Sequence, residues 1–305
     1  MTQQEQTQPQ KPQTEDKFRF QIVYLLPILA SIIFGLGCAY LLIGPQAPYV
    51  PAATAIPQNT PGAPLWNALY FVILLAASAT VFYILLKRRS KKIIKALIIL
   101  AMTLAALLMS FLYLDAILNY YPALGILLIP LSIVVTVLFD LAIFRFGSIP
   151  RNAAVVLIGG ALGVFFGNSI LTFGGIYSVV LILVFLAVYD VFAVYRGPVG
   201  KIAESSAGLD SLQGLSFSFK DIQMGLGDLV FYSMLTGAIF FNFINAFAFP
   251  LGLLPFIVSV IGIMAGSIIT FFMLEKRGIF PGLPFPIMLG LAFGLITGFI
   301  ILPLL

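Results

Sequence analysis

The run Met224-Gly225-Leu226-Gly227-Asp228 stands at the mouth of a long apolar stretch. A carboxylate at membrane depth costs roughly 2.5–3.5 kcal/mol on insertion scales, so such groups read by default as functional. A partner lies upstream, Asp190 in Val188-Tyr189-Asp190. Two carboxylates held face to face cannot both ionise cheaply, so the pair shares one proton. One member can then act as the base that activates water and the other as the acid that hydrogen-bonds a scissile carbonyl, the arrangement of aspartic proteases. Proton-coupled transporters and ion-leak pathways also use intramembrane acids and broken helices. The residues alone leave enzyme and transporter both open.

The rest of the composition removes other chemistries. The 305 residues contain no His, which excludes His-based zinc sites, Ser-His and Cys-His pairs and haem ligation by His. No metal or organic cofactor is expected. The lone Cys38 cannot form an intrachain disulfide. The chain is 61% hydrophobic and only 9% charged, which places it among integral membrane proteins and makes the bilayer its first partner. Its net charge of +5 sits in membrane-flanking loops without a basic groove interleaved with aromatics, so no nucleic-acid partner is expected.

The elements that must position the acids follow from hydropathy and charge. Residues 1–17, rich in Gln and Pro, read as a disordered tail and not as a signal peptide. Residues 18–305 read as one all-α membrane domain. Nine apolar runs each approach the ~20 residues needed to cross the bilayer. They cover about 20–44, 65–86, 93–114, 124–144, 153–172, 176–195, 228–248, 251–274 and 283–304. The short gaps at 86/93 and 172/176 imply tight helical hairpins. All 16 Lys and Arg fall on one side of this nine-span arrangement, which places the N-terminus in the cytoplasm and the C-terminus outside.

That orientation brings the acids level. The sixth span reaches Asp190 six residues before Arg196, ~9 Å inside the inner boundary at 1.5 Å per residue. The seventh runs the other way and reaches Asp228 eight residues after Lys220. Tyr232, four residues beyond Asp228, shares its helix face and can hydrogen-bond near the site. Gly225 and Gly227 permit positive φ and close approach of a substrate backbone. Asp115 and Asp140 also lie in or near spans, the latter within pairing reach of Arg145, and read as structural. Gly159/Gly163, Gly262/Gly266 and the ladder Gly290, Gly294, Gly298 mark helix faces built for close packing.

A transmembrane helix must unwind before water can attack its peptide bonds, and the unwound segment needs backbone partners inside the protein. Two stretches are candidates. Leu215-Ser216-Phe217-Ser218-Phe219 alternates like a strand, so Leu215, Phe217 and Phe219 are expected to line an extended substrate. Pro281-Gly282-Leu283-Pro284 is bracketed by prolines and is expected to leave carbonyls free.

Tyr189-Asp190, Gly225-Leu226-Gly227-Asp228 and Pro281-Gly282-Leu283-Pro284, in that order across nine spans, resemble the presenilin and signal-peptide-peptidase family of intramembrane aspartyl proteases. The flanks Gly225–Ser233 and Val188–Val194, and the cytoplasmic N-terminus, lean toward presenilin. The compact size and short loops suit a microbial, archaeal homologue in a prokaryotic cell membrane. The resemblance covers residue 20 to the end and is strongest over 176–290. It implies that Asp190 and Asp228 are the catalytic pair, shaped by Tyr189, Gly225, Leu226 and Gly227. Pro281, Gly282 and Leu283 would support the site and the substrate, which would be a transmembrane protein or peptide. Gly282 departs from the family's Pro-Ala-Leu by one methyl, from which a looser but working loop is expected. The segment 196–224 is short for the loop that eukaryotic presenilins cleave during maturation, so obligatory self-cleavage is not expected. A homo-oligomer is compatible with all of this.

Overall fold

The structure is a computed structural model, and it describes residues 20–43, 56–57, 59–88, 90–195, 216–219, 222–244, 246–247 and 250–301. The N-terminal tail, Leu215 and Lys220 lie outside the described residues. A 3₁₀ turn (Ile22–Leu25) leads into α1 (Leu26–Leu41), followed by α2 (Ala63–Lys87) and α3 (Lys91–Leu118). A second 3₁₀ turn (Pro122–Leu127) opens α4 (Leu128–Phe144). The helical run Ser148–Tyr195 is interrupted at Gly175, whose φ of 74° and ψ of 168° are not helical. We label its parts α5 (148–174) and α6 (176–195). A β-hairpin, β1 (Ser216–Phe219) and β2 (Ile222–Gly225), precedes α7 (Leu226–Ile244). The chain then forms α8 (Leu254–Arg277), α9 (Pro284–Ile296) and a π turn (Thr297–Ile301).

Seven of the described helices are long and apolar enough to cross a membrane, counting Ser148–Tyr195 once, and Pro284–Ile300 is a shorter apolar helix. Large aliphatic residues on α2, α3 and α4, among them Ile73, Leu100, Leu104, Ile129 and Ile133, are exposed on the outside of the bundle. In water such a surface would be untenable; against lipid tails it costs nothing. The chain is an integral, multi-pass membrane protein.

The break at Gly175 is a reversal of direction. A straight 48-residue helix would be about 72 Å long, more than twice the hydrocarbon core. Packing against α7 shows where the chain goes instead. Gly159, Gly163 and Gly167 of α5 lie in turn against Leu229, Val230/Ser233 and Met234/Ala238, so α5 and α7 run parallel. Asp190, near the end of α6, is back at the level of the start of α7, because it bonds the loop that also touches Asp228. Fifteen residues rise from Gly159 to Gly174 and fourteen return from Ile176 to Asp190. Only glycine enters the left-handed region there without cost.

α7 is the enclosed axis of the bundle, buried almost without interruption from Leu229 to Phe241. The glycine pattern explains how α5 and α9 reach it. A Cβ on Gly163 would lie 2.4 Å from the Val230 carbonyl oxygen, and one on Gly167 2.6 Å from that of Met234. Backbones this close leave no room for any side chain. On the other flank the α9 ladder behaves as its spacing predicts, but against two helices at once. Gly290 sits between Leu235 of α7 and Ile263 of α8, Gly294 between Ile239 and Ser259, and Gly298, in the π turn that follows α9, against Phe243. Gly262 and Gly266 of α8 lie on Leu289/Gly290 and Pro286 of α9. In lipid there is no hydrophobic drive between helices, so this close van der Waals contact is what holds α5, α7, α8 and α9 together.

The all-α class holds, with one small addition, the paired strands β1 and β2. Two span boundaries are corrected. The seventh helix is described over Leu226–Ile244 and not over 228–248, its entry being strand up to Gly225. The last helix is regular only to Ile296 and ends described at Ile301.

Candidate active site

Three backbone features meet at one level of the bundle: the last turns of α6, the first turn of α7 and the loop 281–283. Asp228 is the third residue of α7, and Gly225 is the residue before its first. The Asp228 carboxylate accepts a hydrogen bond from the Gly225 backbone N–H. This is the reaching-back half of a capping box, in which a carboxylate at the third helical position satisfies an orphan donor of the helix start. The strand-to-helix transition thus holds Asp228 through a backbone group three residues away in the chain.

Asp190 is fixed from elsewhere. Its Oδ2 accepts the Leu283 backbone N–H at 2.9 Å, and its carboxylate also accepts the Gly282 N–H. The Tyr232 hydroxyl donates to the Gly282 carbonyl oxygen at 2.9 Å. Gly282 therefore gives its N–H to the acid of α6 and its carbonyl to a side chain of α7. It also abuts the second acid: a Cβ built on Gly282 would lie 3.2 Å from Asp228 Oδ2 and 3.4 Å from Oδ1. The two carboxylates are close enough to act on each other electrostatically, and Tyr232 is close enough to feel both.

The structure brings together Asp190, Asp228, Gly225, Tyr232, Gly282 and Leu283. Leu226 is half-buried and turns toward Gly159, and Tyr189 is half-buried beside Asp190. Phe217 pairs in register with Met224, one residue from Gly225, and its ring lines a mostly apolar cavity of about 340 Å³ with Val23, Leu26, Pro27, Ala153, Val156 and Leu157. Phe219 ends β1 opposite Ile222. Leu215 lies outside the described residues.

Three of the reasons given from sequence do not hold. Gly225 and Gly227 have no positive φ; among the described glycines only Gly62, Gly175 and Gly278 do. Neither is needed for packing, since a Cβ at Gly225 or Gly227 would come no closer than 3.8 Å or 3.7 Å to any atom. What both leave is open space beside Asp228. The carbonyls of the 281–284 loop are not all free, because Gly282 is bonded to Tyr232 and Leu283 accepts the Ile287 N–H at 3.0 Å. Asp140 takes its hydrogen bond from Thr103 Oγ1 of α3, at 2.8 Å, across a helix seam and not from the interface.

Strand β2 was not foreseen. Its signal was present: Ile222-Gln223-Met224 alternates, two residues after another alternating run. Also missed was the buried Ser31–Ser233 hydroxyl contact of 3.1 Å, which ties α1 to α7 one residue beyond Tyr232.

No family model matches the chain, and no curated protein sequence does. Solved structures do match. One, described as a presenilin family intramembrane aspartate protease, aligns with a TM-score of 0.61 over 91% of this chain and 98% of that chain, at 21% identity. The chain has that fold.

Proposed function

We propose that this chain is an intramembrane aspartic endopeptidase that hydrolyses peptide bonds within transmembrane segments. The observation that carries the reading is the meeting of Asp190 and Asp228 around Gly282, in a bundle with the fold of a protease of that kind. The reading takes nine crossings: seven long helices, one more from the division at Gly175, and the shorter α9. With the basic residues inside, the N-terminus is cytoplasmic, the C-terminus is outside and the acids lie near the cytoplasmic face. A prokaryotic cell membrane is its location.

In the reaction, the ionised member of the pair removes a proton from water, whose oxygen attacks the scissile carbonyl carbon. The protonated member donates to the carbonyl oxygen as the tetrahedral intermediate forms. Collapse breaks the C–N bond: the proton held by the base passes to the departing nitrogen, while a hydroxyl of the intermediate returns its proton to the other carboxylate as the carbonyl re-forms. The water-derived oxygen stays on the new carboxyl end, and the carboxylates return to one shared proton. The Gly282 and Leu283 amides hold Asp190 still through these steps, so pre-organisation comes from backbone.

The space left at Gly225 and Gly227 suits the backbone of an unwound substrate approaching Asp228. The hairpin offers backbone for an extended segment, with Phe217 and Phe219 on β1 beside it. Gly282 and Leu283 then act on the substrate indirectly, through Asp190, and Pro281 with Pro284 bounds their loop.

Incubating the purified protein with a single-span helical substrate tests the reading, with Asp190→Ala and Asp228→Ala as variants. Cleavage by the wild type and by neither variant is expected. Cleavage that persists in either variant overturns the pair; a wild type that cleaves nothing yet moves protons across vesicles supports the transporter.

A further inference from the structure

The loop that bonds Asp190 contains its own weak point. Gly282 is the most conformationally free residue available, and it carries both one amide bonded to Asp190 and the carbonyl bonded to Tyr232. Nothing in its own sequence holds such a residue in one conformation. The residues at the two ends of the loop do. The Phe280 ring, just before Pro281, stacks on the Phe285 ring, just after Pro284, with centroids 5.8 Å apart and planes 10° apart. That is the offset-stacked arrangement that aromatic pairs favour.

Each ring is anchored in a different way. The Phe285 backbone and Pro286 press on α8: a Cβ on Gly266 would lie 2.5 Å from Pro286 and 2.6 Å from Phe285. Phe285 is thus part of the rigid α8–α9 seam. Phe280 follows the end of α8, where Gly278 (φ 76°) closes the helix and its N–H returns to the Leu274 carbonyl at 2.8 Å. The Arg277 guanidinium lies 6.0 Å from the centroid of the Phe280 ring, within cation–π range. The stack joins the free end of the loop to its fixed end across the four residues that shape the site.

We propose that Phe280 and Phe285 form an aromatic clasp that holds the 281–284 loop in the conformation presenting its amides to Asp190. Phe280 is on this view a positioning residue, acting on the carboxylate through Gly282 and Leu283. The catalytic part rests on the reading of Asp190 and Asp228 as the working pair; the structural part does not.

The test compares Phe280→Leu, Phe285→Leu, their double variant and Phe280→Tyr in the full chain, with two readouts. The first, amide hydrogen exchange at Gly282 and Leu283, does not depend on activity. Each Leu variant is expected to speed exchange at these two amides about three- to tenfold, the size of an aromatic pair's added worth, while Ile263 in the α8 core stays protected. The double variant should exchange no faster than the quicker single one, and Phe280→Tyr, which keeps the ring, should recover most of the protection. The second readout is kinetic: kcat falls by a similar factor with KM unchanged, because the clasp acts on the acid and not on the substrate. Unaltered exchange in both Leu variants overturns the clasp, as do multiplied effects in the double variant or a Tyr variant no better than Leu. A wild type that cleaves nothing would count against the protease, and exchange would still decide the clasp.

Discussion

Gly282 lies so close to Asp228 that a methyl group added to it would sit 3.2 Å from Oδ2. The two residues belong to different helices' starts, 54 positions apart, yet the spacing between them sets how the acid of α7 faces the acid of α6. The glycine is thus not merely a looser version of alanine. It determines how near the loop's backbone comes to the carboxylate.

Gly282→Ala should therefore displace the Asp228 carboxylate by a few tenths of an ångström and lower kcat by about tenfold or less, without unfolding the protein. Gly282→Val should lower it further. Initial rates on a single-span substrate, with melting in detergent as control, check both; an alanine variant faster than wild type would contradict the geometry.

Tyr232→Phe removes the donor to the Gly282 carbonyl and leaves the ring in place. The expected loss of stability is about 1 kcal/mol, up to ~3 if the carbonyl finds no other donor. Activity should fall along with it, because the same carbonyl belongs to the residue that bonds Asp190. Thermal unfolding and turnover, measured on the same preparation, test the link.

The rate should be bell-shaped in pH. At low pH both acids are protonated and no base remains for water; at high pH both are ionised and no acid remains for the carbonyl. Asp190→Asn and Asp228→Asn should each abolish turnover at every pH. A rate that rises steadily across the range would speak against a pair sharing one proton.

Phe217→Pro places a proline inside β1, opposite Met224. It should break the hairpin whose second strand ends at Gly225, the residue that bonds Asp228. Cleavage should drop at least tenfold, with membrane insertion unchanged, since the hairpin is no part of a spanning helix. Insertion is read by membrane extraction and activity by substrate cleavage.

Gly163→Ala and Gly37→Ala make a paired control on packing. A Cβ at Gly163 would meet backbone at 2.4 Å, while one at Gly37 meets nothing within 4 Å. The first should destabilise by about 1–3 kcal/mol or more as α5 and α7 are forced apart. The second should be neutral or slightly favourable, as alanine is the better helix former.

Hydropathy, charge segregation and the glycine periods of α5, α8 and α9 were legible in the chain. They depend on local composition and helical period, which a sequence states directly. Counting residues between charged ends gave the expectation that Asp190 and Asp228 lie at similar depth; it did not give their adjacency. The sequence could not say why the acids stay in place. Asp190 is held by amides 92 and 93 residues away, Tyr232 by a carbonyl 50 residues away, and β1 by a strand that was not foreseen. Hydrogen bonds between distant backbone groups leave no periodic trace, and a glycine gives the same letter whether it serves a turn, a seam or a carboxylate. Gly225, Gly227 and Gly282 were recognised as important from sequence. Only the packed bundle decided that the first two leave space beside Asp228 while the third presses against it.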